Sequence, residues 1–288
     1  MIWLVNSFSP LADEVISLLK KNGLPFTQSG TELNTENAQD LENYFKSTET
    51  QNYFSSHKNN DDGKIKWVIF LPEQNQNAKK TLNIARLCRN HNAKLIFISS
   101  PEVFSGNENL YTEKSEKNAQ TEEGKLKIEQ EESITSSMTQ YYIIRPSFLY
   151  GNQNDILKDF IFQCKTNGEF SLSQDLKINP VSFQDVAEII LKIIFKSENA
   201  KSFFGKNSAP SFGIYNFSSE DGTTLFEFLN ESQKLLEKSQ KIENNAKIIP
   251  SEKVLKSFLL DSSKIKNELK IKLPHWKDSL KKYILLHF

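Results

Sequence analysis

Three short runs hold the side chains of this chain that could do chemistry. Ser99-Ser100-Pro101-Glu102-Val103-Phe104 follows an apolar stretch and sets two hydroxyls and a carboxyl within four residues. Thr121 and Lys125 stand four apart, a spacing that puts both on one face of a helix. Arg145 precedes Pro146 at the end of a second apolar run, where a lone guanidinium serves either a bound anion or an internal carboxylate. A hydroxyl, a lysine and an acid are the parts of general acid–base chemistry, in which a positioned group moves a proton. Read alone, Lys125 is a solvated residue on the helix of a lysine-rich protein, while Asn77 and Asp185 are helix caps.

Composition narrows the setting of these residues. The chain has 288 residues, 38% hydrophobic and 25% charged, with net charge zero. That is room for one large domain or two unequal ones, and it gives no general attraction to nucleic acid or to an anionic membrane. Cys88 and Cys164 make no disulfide framework, and four scattered histidines show no metal spacing. No apolar run reaches the roughly 18 residues of a membrane span, and Met1 to Val5 lacks a basic leader, so a cytoplasmic protein is expected.

The elements that must position the three runs alternate. Strands are expected at Ile2–Val5, Leu24–Thr27, Lys66–Leu71, Lys94–Ser99 and Tyr141–Arg145. Helices are expected from Ser9-Pro10 to Gly23, from Thr35 to Lys46, from Asn77 to Asn90 and from Glu122 to Ser137. Thr48 to Lys64 reads as a polar surface loop ending in Asn59-Asn60-Asp61-Asp62-Gly63. This order implies an α/β fold, a doubly wound parallel sheet covered on both faces, with ligands at the carboxyl ends of its strands. After Gly151 the pattern turns mostly helical, with a strand at Gly213–Phe217 and a capping box at Thr224 and Glu227. Residues 1–150, rejoined by 181–220, are expected to form a Rossmann-like domain. Residues 151–180 and 221–288 are expected to form a smaller substrate-binding region.

The order and spacing of several motifs resemble the extended short-chain dehydrogenase/reductase superfamily. They are the run at Ser99, Arg145-Pro146 with Tyr150-Gly151, Pro180-Val181 with Asp185-Val186-Ala187, Gly213-Ile214-Tyr215-Asn216, and Leu273-Pro274-His275-Trp276. Within it the chain looks most like dTDP-4-dehydrorhamnose reductase and related NAD-dependent sugar-nucleotide epimerases and dehydratases. The resemblance implies a catalytic set of a serine or threonine, a tyrosine and a lysine. Carried across, these positions are Ser100, Thr121 and Lys125, with Lys125 also on the cofactor ribose. It further implies Glu102, Tyr111 and Arg145 on the substrate side, and Asn6, Ser9, Ala12, Leu71 and Asn77 around an NAD(P) cofactor. No metal is implied.

Two departures stand out. A threonine at 121 is shorter than tyrosine by a ring and far less acidic than a phenol, whose pKa is about 10. Losing a general acid costs about 10²- to 10⁴-fold in rate. The family's glycine turn is replaced by Asn6, Ser9 and Ala12, and Leu71-Pro72-Glu73 stands where small residues pass under the cofactor. Ser9 would cap its helix and occupy an N–H that a phosphate needs, and Asp13 would repel a diphosphate. The expectation is a degenerate reductase that binds a sugar nucleotide or regulates. The alternative is an active NAD(P)H-dependent reductase of a 4-keto sugar nucleotide, with Glu102, Glu113 or a water as acid. A homodimer, or a subunit that stabilises a partner enzyme, completes the possibilities.

Overall fold

A computed structural model describes residues 1–30, 32–56, 64–72, 77–151, 155–166, 168–173, 176–199, 209–242, 246–251 and 257–288. In chain order the elements are β1 (Ile2–Val5), α1 (Pro10–Lys21), β2 (Phe26–Ser29), α2 (Ala38–Ser56), β3 (Trp67–Phe70), α3 (Ala78–Asn90) and β4 (Lys94–Ile98). A 3-10 turn (Pro101–Val103) follows, then α4 (Glu122–Ser137), β5 (Tyr141–Pro146), β6 (Leu149–Tyr150), α5 (Ile156–Thr166), β7 (Glu169–Leu172), β8 (Lys177–Ile178), β9 (Val181–Ser182) and α6 (Phe183–Glu198). The chain continues through β10 (Gly213–Phe217), β11 (Thr223–Thr224), α7 (Leu225–Lys238), β12 (Lys247–Pro250), α8 (Ser263–Leu269) and α9 (Trp276–His287).

Six strands form one parallel sheet in the order β2-β1-β3-β4-β5-β10. β1 and β3 are buried along their whole length, which is why they read as continuous apolar runs. Their alternate residues feed two cores. Ile2, Leu4, Ile69, Ile96 and Ile144 pack with α1, α6 and α8 on one face. Trp3, Val5, Val68, Phe70, Phe97 and Ile143 pack with α2, α3 and α4 on the other. This is the doubly wound α/β fold expected. A third core joins β6, α5, α7 and α9 around Tyr150, Phe160, Phe228 and Trp276.

Local signals act as expected at several ends. Ser9 caps α1 with Pro10 at the first helical position, and Thr224 and Glu227 form a reciprocal capping box on α7. Several boundaries differ. β2 begins at Phe26, two residues later than Leu24. α2 runs to Ser56, through the start of the expected polar loop, because the stretch from Ser47 to Ser56 holds no glycine or proline to stop it. The cap of α6 is Ser182, with Asp185 at the third helical position returning a bond to the Ser182 N–H. The loop tip at 59–63 and Glu73 lie outside the described residues.

Candidate functional site

A cleft of about 770 Å³ opens at the carboxyl ends of β1, β3, β4 and β5. Asn6, Phe8, Ser9, Leu71, Pro72, Ser99, Ser100 and Glu102 border it from the sheet side. Glu123 and Lys127 border it from α4, and Phe148, Lys177, Ile178, Phe183 and Phe258 from the segments beyond β5. The cleft is therefore open, and five of the residues singled out in the sequence meet in it: Asn6, Ser9, Leu71, Ser100 and Glu102.

Thr121 and Lys125 are not among them. Thr121 is the N-cap of α4, and its hydroxyl accepts the Gly124 N–H at 3.0 Å. Lys125 is 56% exposed and pairs with Glu122 at 2.6 Å. The helix turns about 100° per residue, so a shift of two positions moves a side chain to nearly the opposite side. The inner side of α4 carries Gly124, Lys127, Glu131 and Ile134, all buried, with Glu123 half-buried at the cleft. The pair four apart that faces the cleft is thus Glu123 and Lys127.

What fixes that rotation is a buried charge pair. Arg145 is fully buried and donates through Nε and Nη2 to the two carboxylate oxygens of Glu131, at 2.8 and 2.6 Å. Ser99, at the end of β4, donates to the same carboxylate at 2.7 Å. Arg145 also stacks over the Phe104 ring at 5.1 Å. Its partner is an internal carboxylate, and it is not among the residues that border the cleft, which corrects its place on the substrate side. Tyr111 is corrected likewise: it is fully buried, stacked on Phe104 at 4.3 Å, and its hydroxyl accepts the N–H groups of Asn107 and Glu108. Asn77 caps α3 through the Lys80 N–H and donates to Glu36, away from the cleft. Glu113 accepts the Asn216 N–H at 2.9 Å.

Ser100 caps the 3-10 turn and accepts the Glu102 N–H at 3.2 Å. The turn lies hard against α4, since a Cβ on Gly124 would stand 2.2 Å from the Glu102 carbonyl oxygen. Burial pushes the Glu102 carboxyl above the usual carboxylate range; Glu123 adds to the rise and Lys127 opposes it. Burial lowers the Lys127 ammonium, against the pull of Glu123, Glu102 and Glu131.

In the cofactor turn one N–H is occupied and one is missing. Asn6 holds the left-handed conformation at φ 59°, and Ala12 is buried where α1 meets the sheet. The Ser9 hydroxyl, however, accepts the Ala12 N–H at 3.1 Å, and Pro10 has no N–H to offer. The Phe8 ring covers Gly30, where an added Cβ would stand 1.9 Å from it, and the exposed Glu32 accepts the Gly30 N–H at 2.7 Å. In this fold the adenosine ribose is held just past β2. The residues present do not fit a dinucleotide diphosphate and ribose. Among the described residues no group of three or more histidine, cysteine, aspartate or glutamate side chains is arranged to hold a metal. No described helix is long and apolar enough to cross a membrane.

The sheet, its two covering layers and the cleft at the strand ends define a Rossmann-like α/β protein. The chain belongs to the family of the RmlD substrate binding domain, whose model matches residues 71–286. No curated protein matches the sequence. Among solved structures, a dTDP-4-dehydrorhamnose reductase from Clostridium acetobutylicum is similar over 99% of this chain and 98% of its own, at 23% identity and a TM-score of 0.80. The dTDP-4-dehydrorhamnose reductase of Bacillus anthracis, in complex with NADP, matches over 99% and 98% at 18% identity and a TM-score of 0.79. The UDP-N-acetylglucosamine 4-epimerase of Bacillus cereus matches over 99% and 98% at 16% identity and 0.76. These likenesses establish the fold.

Proposed function

We propose that the protein is a cytoplasmic, sugar-nucleotide-binding member of its family in which redox turnover by the family's phenol has been lost. One observation carries this reading: the cleft is open, yet among the described residues no tyrosine borders it, and Glu123 occupies the place one helical turn before the inward lysine. The occupied N–H at Ala12 and the covered Gly30 support weak dinucleotide binding. In this reading residues 1–150 and 181–220 form one wall of the cleft, and 151–180 with 221–288 form the sugar side. Calorimetry with dTDP-glucose and, separately, with NADPH tests it. Binding of the first with little or none of the second is expected; micromolar NADPH affinity together with reduction of a dTDP-4-keto sugar would overturn it.

A second reading, an active NAD(P)H-dependent reductase of a 4-keto sugar nucleotide, is favoured by the protonatable Glu102 beside Ser100. A neutral carboxyl can donate where the phenol is missing. Turnover that falls about 10²- to 10⁴-fold in a Glu102→Gln variant would support it.

A further inference from the structure

Among the described residues, four charged side chains border the cleft: Glu102, Glu123, Lys127 and Lys177. Ionised, they cancel. The tight approach of the 3-10 turn to Gly124 brings Glu102 and Glu123 into one electrostatic neighbourhood, with Lys127 between burial and both carboxylates. An anionic ligand entering this arrangement meets as much repulsion as attraction. With one carboxyl neutral, two ammonium groups face one carboxylate, and the same space favours a diphosphate. We propose that an anionic sugar nucleotide enters this cleft together with one proton, which the Glu102 carboxyl holds. The inference rests on the sugar-nucleotide reading above. The proton comes from solvent, no covalent bond in the ligand changes, and the neutral carboxyl becomes a hydrogen-bond donor within the cleft.

Glu102 is the carboxyl placed to hold the proton. Its backbone N–H is fixed on Ser100, its residue is partly buried, and its affinity for a proton is already raised by burial and by Glu123. Among the described residues, the groups that face it are few. From α4 come Glu123 and Lys127, and from β8 comes Lys177. The strand ends at 6–11, 71–72 and 146–149 contribute only Asn6, Ser9, Ser147 and apolar side chains, and Phe258 is apolar. None of these titrates near neutrality, so a pH effect on binding traces to the charged four. A bound diphosphate raises the proton affinity of Glu102 further, because a second negative charge disfavours ionisation.

The test is calorimetric titration of the full chain with dTDP-glucose at about pH 6 and about pH 8, in buffers of different ionisation enthalpy. The expected result is uptake of close to one proton at the higher pH, and affinity that weakens by up to about tenfold per pH unit where Glu102 is ionised in the free protein. In Glu102→Gln the uptake vanishes and the affinities at the two pH values converge. Equal affinity and no proton uptake by the unaltered protein would overturn the inference and leave the sugar-nucleotide reading standing. Uptake that persists in Glu102→Gln would also overturn it, by placing the proton elsewhere. Absence of dTDP-glucose binding at both pH values would remove the sugar-nucleotide reading and the inference together. If the variant does not fold, the proton count of the unaltered protein decides alone.

Discussion

Arg145 and Glu131 hold each other in a place where neither could stay alone. Removing one partner of a buried ion pair leaves an uncompensated charge, at a cost of about 3–5 kcal/mol. Arg145→Met is expected to lose that much in urea denaturation, whereas Lys125→Ala, whose partner Glu122 is 91% exposed, should stay within about 0.5 kcal/mol. Glu102 gives a pH signature. Its folded carboxyl binds a proton more readily than the unfolded one, so its contribution is fullest below the ordinary carboxylate range and is lost as pH rises through the raised folded value. Thermal melts between about pH 4 and pH 8 should show this falling limb flattened in Glu102→Gln. At this scale the sequence was half legible. Arg145 announced a need for a carboxylate, and Ser100 and Glu102 announced a strand end. The partner of Arg145 did not announce itself, because Glu131 is one of many glutamates on a helix with little amphipathic contrast. Thr121 and Lys125 have the same spacing as Glu123 and Lys127, so spacing could not choose between the pairs; contact with the sheet does.

α4 shows how an element can be read correctly and still be aimed wrongly. Its ends at Glu122 and Ser137 follow from its cap and composition, but its rotation is set by Glu131 and by Gly124. Gly→Ala in an exposed helix interior gains up to about 1 kcal/mol. Gly124→Ala should do the opposite, losing about 1–3 kcal/mol as the new methyl meets the Glu102 backbone; the melting temperature of the variant checks the sign. Ser9→Ala removes the α1 cap and should cost about 1 kcal/mol by the same measurement. The strands were the most legible elements, since burial on both faces writes them as apolar runs. α2 was the least, because a polar stretch without a stop residue is compatible with a loop or with a solvated helix.

Across the whole molecule, the order of strands and helices predicted the sheet and the strand-end part of the cleft, while the rest of the cleft lining was beyond the reach of sequence. It is gathered from strand ends, one helix face and segments near residues 177, 183 and 258, joined only by folding. The net charge of zero gives the surface no long-range repulsion between copies. Solubility is therefore expected to be lowest near neutral pH and to rise on moving roughly two units away, as light scattering would show.

The stripe of Glu123, Lys127 and Glu131 has a practical corollary. Its last member is bolted to Arg145, so the helix cannot swivel to bring another row inward. Anyone attempting to place a phenol in the cleft from this helix is bound by that bolt. A tyrosine grafted at Thr121 would hang in water beside Lys125, whereas one grafted at Glu123 would stand inside the cleft, one turn from the only helical lysine that reaches it among the described residues. The motif that marks the family's arginine is in this sense a piece of joinery, kept for alignment whether or not any reaction still depends on it.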